Sequence, residues 1–313
     1  MPSNAMKHDP GRSLSPGAVA LMLMLCLSWG FNQIAVKLAL PDIPAMMQAL
    51  FRSVGALPVL LIVGWLRKAD FSLRDGTLGP GVLSGIIFGF EFVLIYQGLR
   101  LTTASRAAVF LYTAPFFVAL GSYPLLGERL RAPQWAGLAL SFAGVALAIG
   151  VPQANVDANV LLGDLMVVGG GAMWGSTTLI AKGTKLRFAA PEKALAYQVA
   201  ISIPILGAAA LFFNETMTHV PGPLAVSVVT YQAIWVVGLT FTIWFALVQR
   251  YSASKLSAFS FITPLFGVVA SYFILHEELT LSFGVAALLV VAGLYFVNRP
   301  EKARAKVAPD PNI

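Results

Sequence analysis

Glu91 is the only acidic residue placed deep within a long apolar run, GIIFGFEFVLIYQG. A carboxyl in that setting can carry a proton or hold a substrate ammonium group, and it can equally be a hydrogen-bonded structural group. Trp29, Asn32 and Gln33 share one helical face by i, i+3 and i+4 spacing, and Trp174, Thr177 and Thr178 repeat that spacing later. Tyr231, Trp235, Gly238 and Thr242 form a third stripe, and Tyr112, Phe116, Ala119 and Tyr123 a fourth. Ser260 and Thr263 stand just before Pro264. Rings with polar tips suit an amphipathic small guest. The competing readings are aromatic packing, polar glue between helices and tryptophans at a membrane interface. Pro115 and Pro264 fall inside apolar runs, where a missing amide hydrogen favours a kink and hence a candidate gate.

Other chemistry is poorly provided for. A lone cysteine, Cys26, has no disulfide partner, and His8, His219 and His276 are scattered, so no metal or cofactor is expected. The chain has no nucleophile, base and electrophilic stabiliser near one another and no phosphate-cradling loop with its lysine, which argues against catalysis and ATP-driven pumping. The net charge of +7 is spread between apolar runs and in the tails without a continuous basic face, which argues against nucleic acid.

The elements that must position these residues follow from composition. Of 313 residues, 58% are hydrophobic and 11% charged, against roughly 25% charged in a soluble domain. Ten runs near the length of a bilayer crossing occur at 17–38, 44–66, 78–99, 105–126, 133–150, 161–183, 191–213, 223–248, 254–275 and 281–297. Backbone groups find no water in hydrocarbon, so each run is predicted to be α-helical: an all-α integral membrane protein with ten transmembrane helices. The first run is too long for a signal peptide and reads as an uncleaved helix. With a cytoplasmic amino terminus, 17 Lys and Arg fall inside and 4 outside, which places both termini in the cytoplasm of a multi-pass inner-membrane protein.

An internal repeat divides the chain. Trp29-Gly30 and Lys37 return as Trp174-Gly175 and Lys182, an offset of 145. Ser105, Pro115, Glu128, Leu130 and Gly144 return as Ser254, Pro264, Glu277, Leu279 and Gly293, an offset of 149. Five helices per half reverse the second half across the membrane, giving two inverted five-helix repeats. The expected organisation is a tail at 1–16, repeats at 17–150 and 161–298, an external linker at 151–160 and a basic tail at 299–313. Gly81, Gly85 and Gly89 form a small-residue ridge for helix packing.

Trp29-Gly30, Arg52 and Pro115 with Leu126-Gly127-Glu128-Arg129-Leu130 resemble the drug/metabolite transporter superfamily. Trp174-Gly175, Pro264 and His276-Glu277-Glu278-Leu279 are similar to the second half of its ten-helix, two-repeat branch, and the likeness is greatest to aromatic amino acid exporters. No arginine of the second half matches Arg52, Val199 standing near that position, so Arg52 receives no shared role. The resemblance implies an exporter of aromatic and other neutral amino acids, expected to work as a monomer by alternating access through a central cavity. The alternatives are a multidrug or lipophilic-cation exporter and a non-transporting membrane receptor or scaffold. Anionic substrates are disfavoured, because Lys37, Lys182 and Arg52 are placed near crossing ends.

Overall fold

The computed structural model describes residues 14–102, 104–149, 157–275 and 281–298; the side chains of Gln33, Lys37, Ser105 and Arg106 lie outside the description, as do His276, Glu277, Glu278, Leu279 and both tails. Among the described residues every regular element is a helix. The first half contains α1 (Pro16–Ala39), α2 (Ala45–Leu66), α3 (Leu78–Leu101), α4 (Ala104–Leu111), α5 (Ala114–Leu126) and α6 (Ala132–Ile149). The second contains α7 (Ala158–Gly183), α8 (Pro191–Phe212), α9 (Pro223–Tyr231), a π-helical stretch (Gln232–Phe241), α10 (Thr242–Arg250), α11 (Ala253–Phe259), α12 (Thr263–Leu275) and α13 (Leu281–Asn298).

Eight segments among the described residues are long and apolar enough to cross a membrane. Three of them are not single regular helices. The segment Val109–Leu126 breaks between α4 and α5, Pro223–Arg250 runs through the π-helical stretch, and Ala253–Ile274 passes through a short 3₁₀ turn at Ser260–Ile262. The fifth and tenth expected crossings fall on the shorter apolar helices Ala132–Leu147 and Gly284–Asn298.

Helix ends follow local chemistry. Ser15 Oγ accepts from the Ala18 amide at the start of α1, and Asp157 accepts from the Asn159 amide at the start of α7. Gly127, at φ +69°, closes α5, its amide donating to Tyr123 O. Pro115 and Pro264 are the second residues of α5 and α12, not interior residues as expected. Each span leaves α-helical geometry just ahead of its proline, the second by a 3₁₀ turn, and the next α-helix begins one residue before it, where a first-turn proline has no amide partner to lose.

Packing is close wherever glycine allows it. α3 lies between α7 and α8. A Cβ at Gly85 would sit 2.6 Å from Ile201 Cβ and 2.8 Å from Tyr197 O, so the ridge fits α3 directly against the α8 backbone. α6 packs on α13, with Ser141 Oγ donating to Val290 O at 3.3 Å. α1 packs on α12 and on the α9–π segment, α7 on α5, and α2 on α8 and the π stretch.

Candidate functional site

The Trp-Gly pairs place one residue in a cavity and the next against a neighbouring backbone, since successive helical positions turn by about 100°. A Cβ on Gly30 would lie 2.8 Å from Thr263 O and 2.9 Å from Gly267 N, on the first turn of α12. Gly175 is similarly pressed on Phe117 and Ala114, at the break between α4 and α5. Trp29 and Trp174 are turned to a cavity of about 120 Å³.

Rings form much of its wall. Trp29 meets Phe241 at 5.8 Å and Trp244 at 5.7 Å between centroids, both edge to face, and Tyr112 meets Trp174 at 6.1 Å in the same way. Each such contact contributes about 0.5–1.5 kcal/mol beyond burial. Trp29 Nε1 donates to Thr240 Oγ1 at 2.9 Å, which holds the indole in place. Asn32 and Thr177 line the same space, as does Gln198, whose Nε2 donates to Ser84 Oγ at 2.7 Å.

Two charged side chains complete the lining, Glu91 of α3 and Arg52 of α2. Glu91 is 6% exposed and Arg52 3%. Arg52 Cζ stands 4.0 Å from the centroid of Phe92, a cation–π contact. The expectation that Arg52 sits at a crossing end is corrected here. Seven residues into α2 is about 10 Å along the helix, roughly a third of a bilayer core, and neighbouring helices enclose the guanidinium there. Sequence reasoning missed Gln198, Phe241 and Trp244 as cavity-lining residues, and also Arg52. The signal for Arg52 was an arginine inside a run otherwise nearly free of charge.

Not every expected site residue reaches the cavity wall. Thr177 and Thr178 both donate to Trp174 O, but only Thr177 lines the space. Tyr231 Oη donates to Ser28 O and Trp235 Nε1 to Ser28 Oγ, so this pair fastens the π-containing segment to α1. The π-helical stretch begins between Tyr231 and Trp235 and changes the register on which their stripe was counted. Ser260 is buried and donates to Ser257 O, stabilising the 3₁₀ turn. The side chain of Gln33 lies outside the described residues. Cys26 donates to Phe259 O, and no group of three or more His, Cys, Asp or Glu able to hold a metal occurs among the described residues.

Polar clasps join the two halves away from the cavity. Glu128, just beyond α5, pairs with Lys182 of α7 at 2.9 Å. It also accepts from Ser252 Oγ at 2.7 Å and from the Ala253 amide at 3.3 Å, at the amino-terminal end of α11. Lys182 Nζ further donates to Tyr251 O. Burial pushes the Glu128 carboxyl up, but Lys182 and these donors outweigh it and hold the carboxyl below its ordinary value. Lys193 pairs with Asp75 at 2.7 Å, and Arg67 with Glu192 at 2.5 Å. The Lys193 bond, helped by Thr77, depresses the Asp75 carboxyl. At the other ends of these helices Asp42 accepts from the Gly222 amide at 2.7 Å and lies 3.3 Å from His219 Nε2, and both contacts lower its pKa.

Comparisons with known proteins agree with this architecture. The description EamA-like transporter family matches residues 16–150 and again 161–299. A probable amino-acid metabolite efflux pump of Escherichia coli is 26% identical, over 88% of this chain and 92% of its own. Its Salmonella typhimurium counterpart of the same name is 29% identical over the same shares. An uncharacterized transporter of Bacillus subtilis is 25% identical, over 91% of this chain and 98% of its own. One solved crystal structure superposes with a TM-score of 0.77 at 18% identity, covering 90% of this chain and 98% of that one, which supports the fold alone. With both halves matched and apolar helices throughout, the chain is a multi-pass membrane protein and belongs to the EamA-like transporter family.

Proposed function

We propose that the protein is a secondary carrier that exports aromatic and other neutral amino acids across the cytoplasmic membrane, acting as a monomer by alternating access. The observation that carries this reading is the ring-lined cavity containing Trp29, Tyr112 and Trp174 beside the charged groups Glu91 and Arg52. Rings accept an aromatic or aliphatic side chain, and the polar groups orient its other end. The names borne by the Escherichia coli and Salmonella typhimurium relatives favour the amino acid class.

Two inverted five-helix halves, counting each broken span as one crossing, supply the moving parts of this reading. Helix partners support it. Exchanging the halves turns the α1 and α12 contact into the α7 and α5 contact, and the α3 and α8 contact into that between the π stretch and α2. Ser141 and Val290 touch although 149 residues apart, the offset of the second set of repeat landmarks, as expected of positions on an axis relating the halves. Under the orientation set by basic residues, the Glu128, Asp75 and Arg67 clasps lie on the cytoplasmic side and close that end.

Counterflow of labelled phenylalanine and threonine into amino-acid-loaded proteoliposomes tests the proposal. Flux above that of empty vesicles is expected. Its absence overturns the reading in favour of a receptor or scaffold, and competition by lipophilic cations without competition by amino acids overturns it in favour of a multidrug carrier.

A further inference from the structure

Arg52 Nε and Nη2 and Glu91 Oε2 are buried within the protein without a hydrogen-bond partner. Both side chains line the cavity, near enough for each to feel the other's charge but with no ion pair within 4.0 Å between them. An ionised group in that condition costs several kcal/mol unless something supplies the missing contacts. The particular atoms matter. Nε and Nη2 form one edge of the planar guanidinium, the two-pronged fork that grips both oxygens of a carboxylate. Phe92 lies 4.0 Å from Arg52 Cζ, a cation–π contact that uses none of these N–H donors, so the Nε and Nη2 donors keep no partner. Glu91 precedes Phe92 on α3, so the carboxylate and the ring that carries the guanidinium belong to one helical turn.

Cation alone or anion alone would leave one of these groups uncompensated. A guest bearing a carboxylate and an ammonium on one small carbon frame satisfies both and adds no net charge to the cavity. We infer that Arg52 and Glu91 together form a receptor for the two charged ends of a zwitterionic α-amino acid, Arg52 taking the carboxylate through its Nε–Nη2 edge and Glu91 the ammonium. The rings of Trp29, Tyr112 and Trp174 then receive the side chain, which makes the site specific for the backbone of the substrate and permissive for its side chain. This inference rests on the amino acid reading above and replaces an unassigned arginine with a recognition group.

Three probes with the same ring separate the charges: phenylalanine, phenethylamine, which lacks the carboxylate, and hydrocinnamate, which lacks the ammonium. In binding to the purified wild-type chain, followed by ligand-induced thermal shift, phenylalanine is expected to bind at least about 30-fold more tightly than either analogue, the lower end for losing one member of a buried charged contact. Arg52→Gln is expected to abolish the preference over phenethylamine while keeping discrimination against hydrocinnamate, and Glu91→Gln the reverse. Arg52→Lys, which retains charge but not the fork, is expected to fall between. Equal wild-type binding of the three probes overturns the inference, as does an Arg52→Gln protein that still prefers phenylalanine over phenethylamine. The wild-type series decides the matter even if a variant does not fold. Zwitterion preference without counterflow overturns export alone, whereas counterflow without zwitterion preference overturns this inference alone.

Discussion

Trp29 and Trp174 meet edge to face, their ring centroids 6.3 Å apart and their planes at 83°, although they stand 145 positions apart in the chain. Each begins a Trp-Gly pair whose glycine seats a broken span of the opposite half: Gly30 against Thr263, Gly175 against Ala114. The same dipeptide therefore builds the cavity wall and positions the helix breaks beside it.

Gly30 and Gly175 should differ in tolerance. A Cβ at Gly30 meets backbone atoms at 2.8 and 2.9 Å, whereas one at Gly175 comes no nearer than 3.0 Å, to a side-chain carbon. Gly30→Ala is expected to destabilise the protein by about 1–3 kcal/mol, as overpacking does, and Gly175→Ala by less. Thermal unfolding in detergent measures both.

Trp29 acts through its ring contacts and its bond to Thr240. Trp29→Phe and Thr240→Val are each expected to cost about 1 kcal/mol for the lost hydrogen bond. Trp29→Ala is expected to cost about 3–5 kcal/mol and to remove amino acid counterflow. Stability and flux assays on the same preparations separate the two effects.

The clasp of Glu128 and Lys182 is 5% and 3% exposed. Removing one partner strands the other as a buried charge, so Lys182→Met is expected to lower stability by about 3 kcal/mol or more. Combining it with Glu128→Gln is expected to recover part of that loss. A double-mutant cycle on thermal unfolding checks the coupling.

Acid should loosen the clasped loops. Asp75, Asp42 and Glu128 have carboxyls held below their ordinary range, so their contribution is fully present above about pH 4 and fades as pH falls through the lower folded values. Faster amide exchange is expected in the 67–77 and 213–222 segments once pH falls below about 4, and not between neutrality and that value, after correction for the intrinsic pH dependence of exchange. Asp75→Asn is expected to remove the effect in the first segment.

Much of the scaffold was readable residue by residue. Lipid forbids unpaired backbone, so run length and composition alone call for helices, and the recurring Trp, Pro and Glu landmarks exposed two related segments before any packing was known. Tyr112, Glu91, Trp29 and Trp174 were visible as unusual side chains in apolar surroundings, and they line one cavity together. The breaks ahead of Pro115 and Pro264 were less visible. Proline restricts its own turn, but the neighbours decide whether the helix bends there or ends and begins again.

The sequence by itself determined helices, their approximate limits and the kinship of the halves, because these depend on local composition and order. Only the tertiary structure decided that Arg52 joins Glu91 at the cavity while Tyr231 and Trp235 fasten onto Ser28. Helices that are apolar on every side carry little indication of which face turns inward. That orientation is set by where glycines let backbones approach and by a π-helical stretch that shifts register, and both act only once the helices are packed.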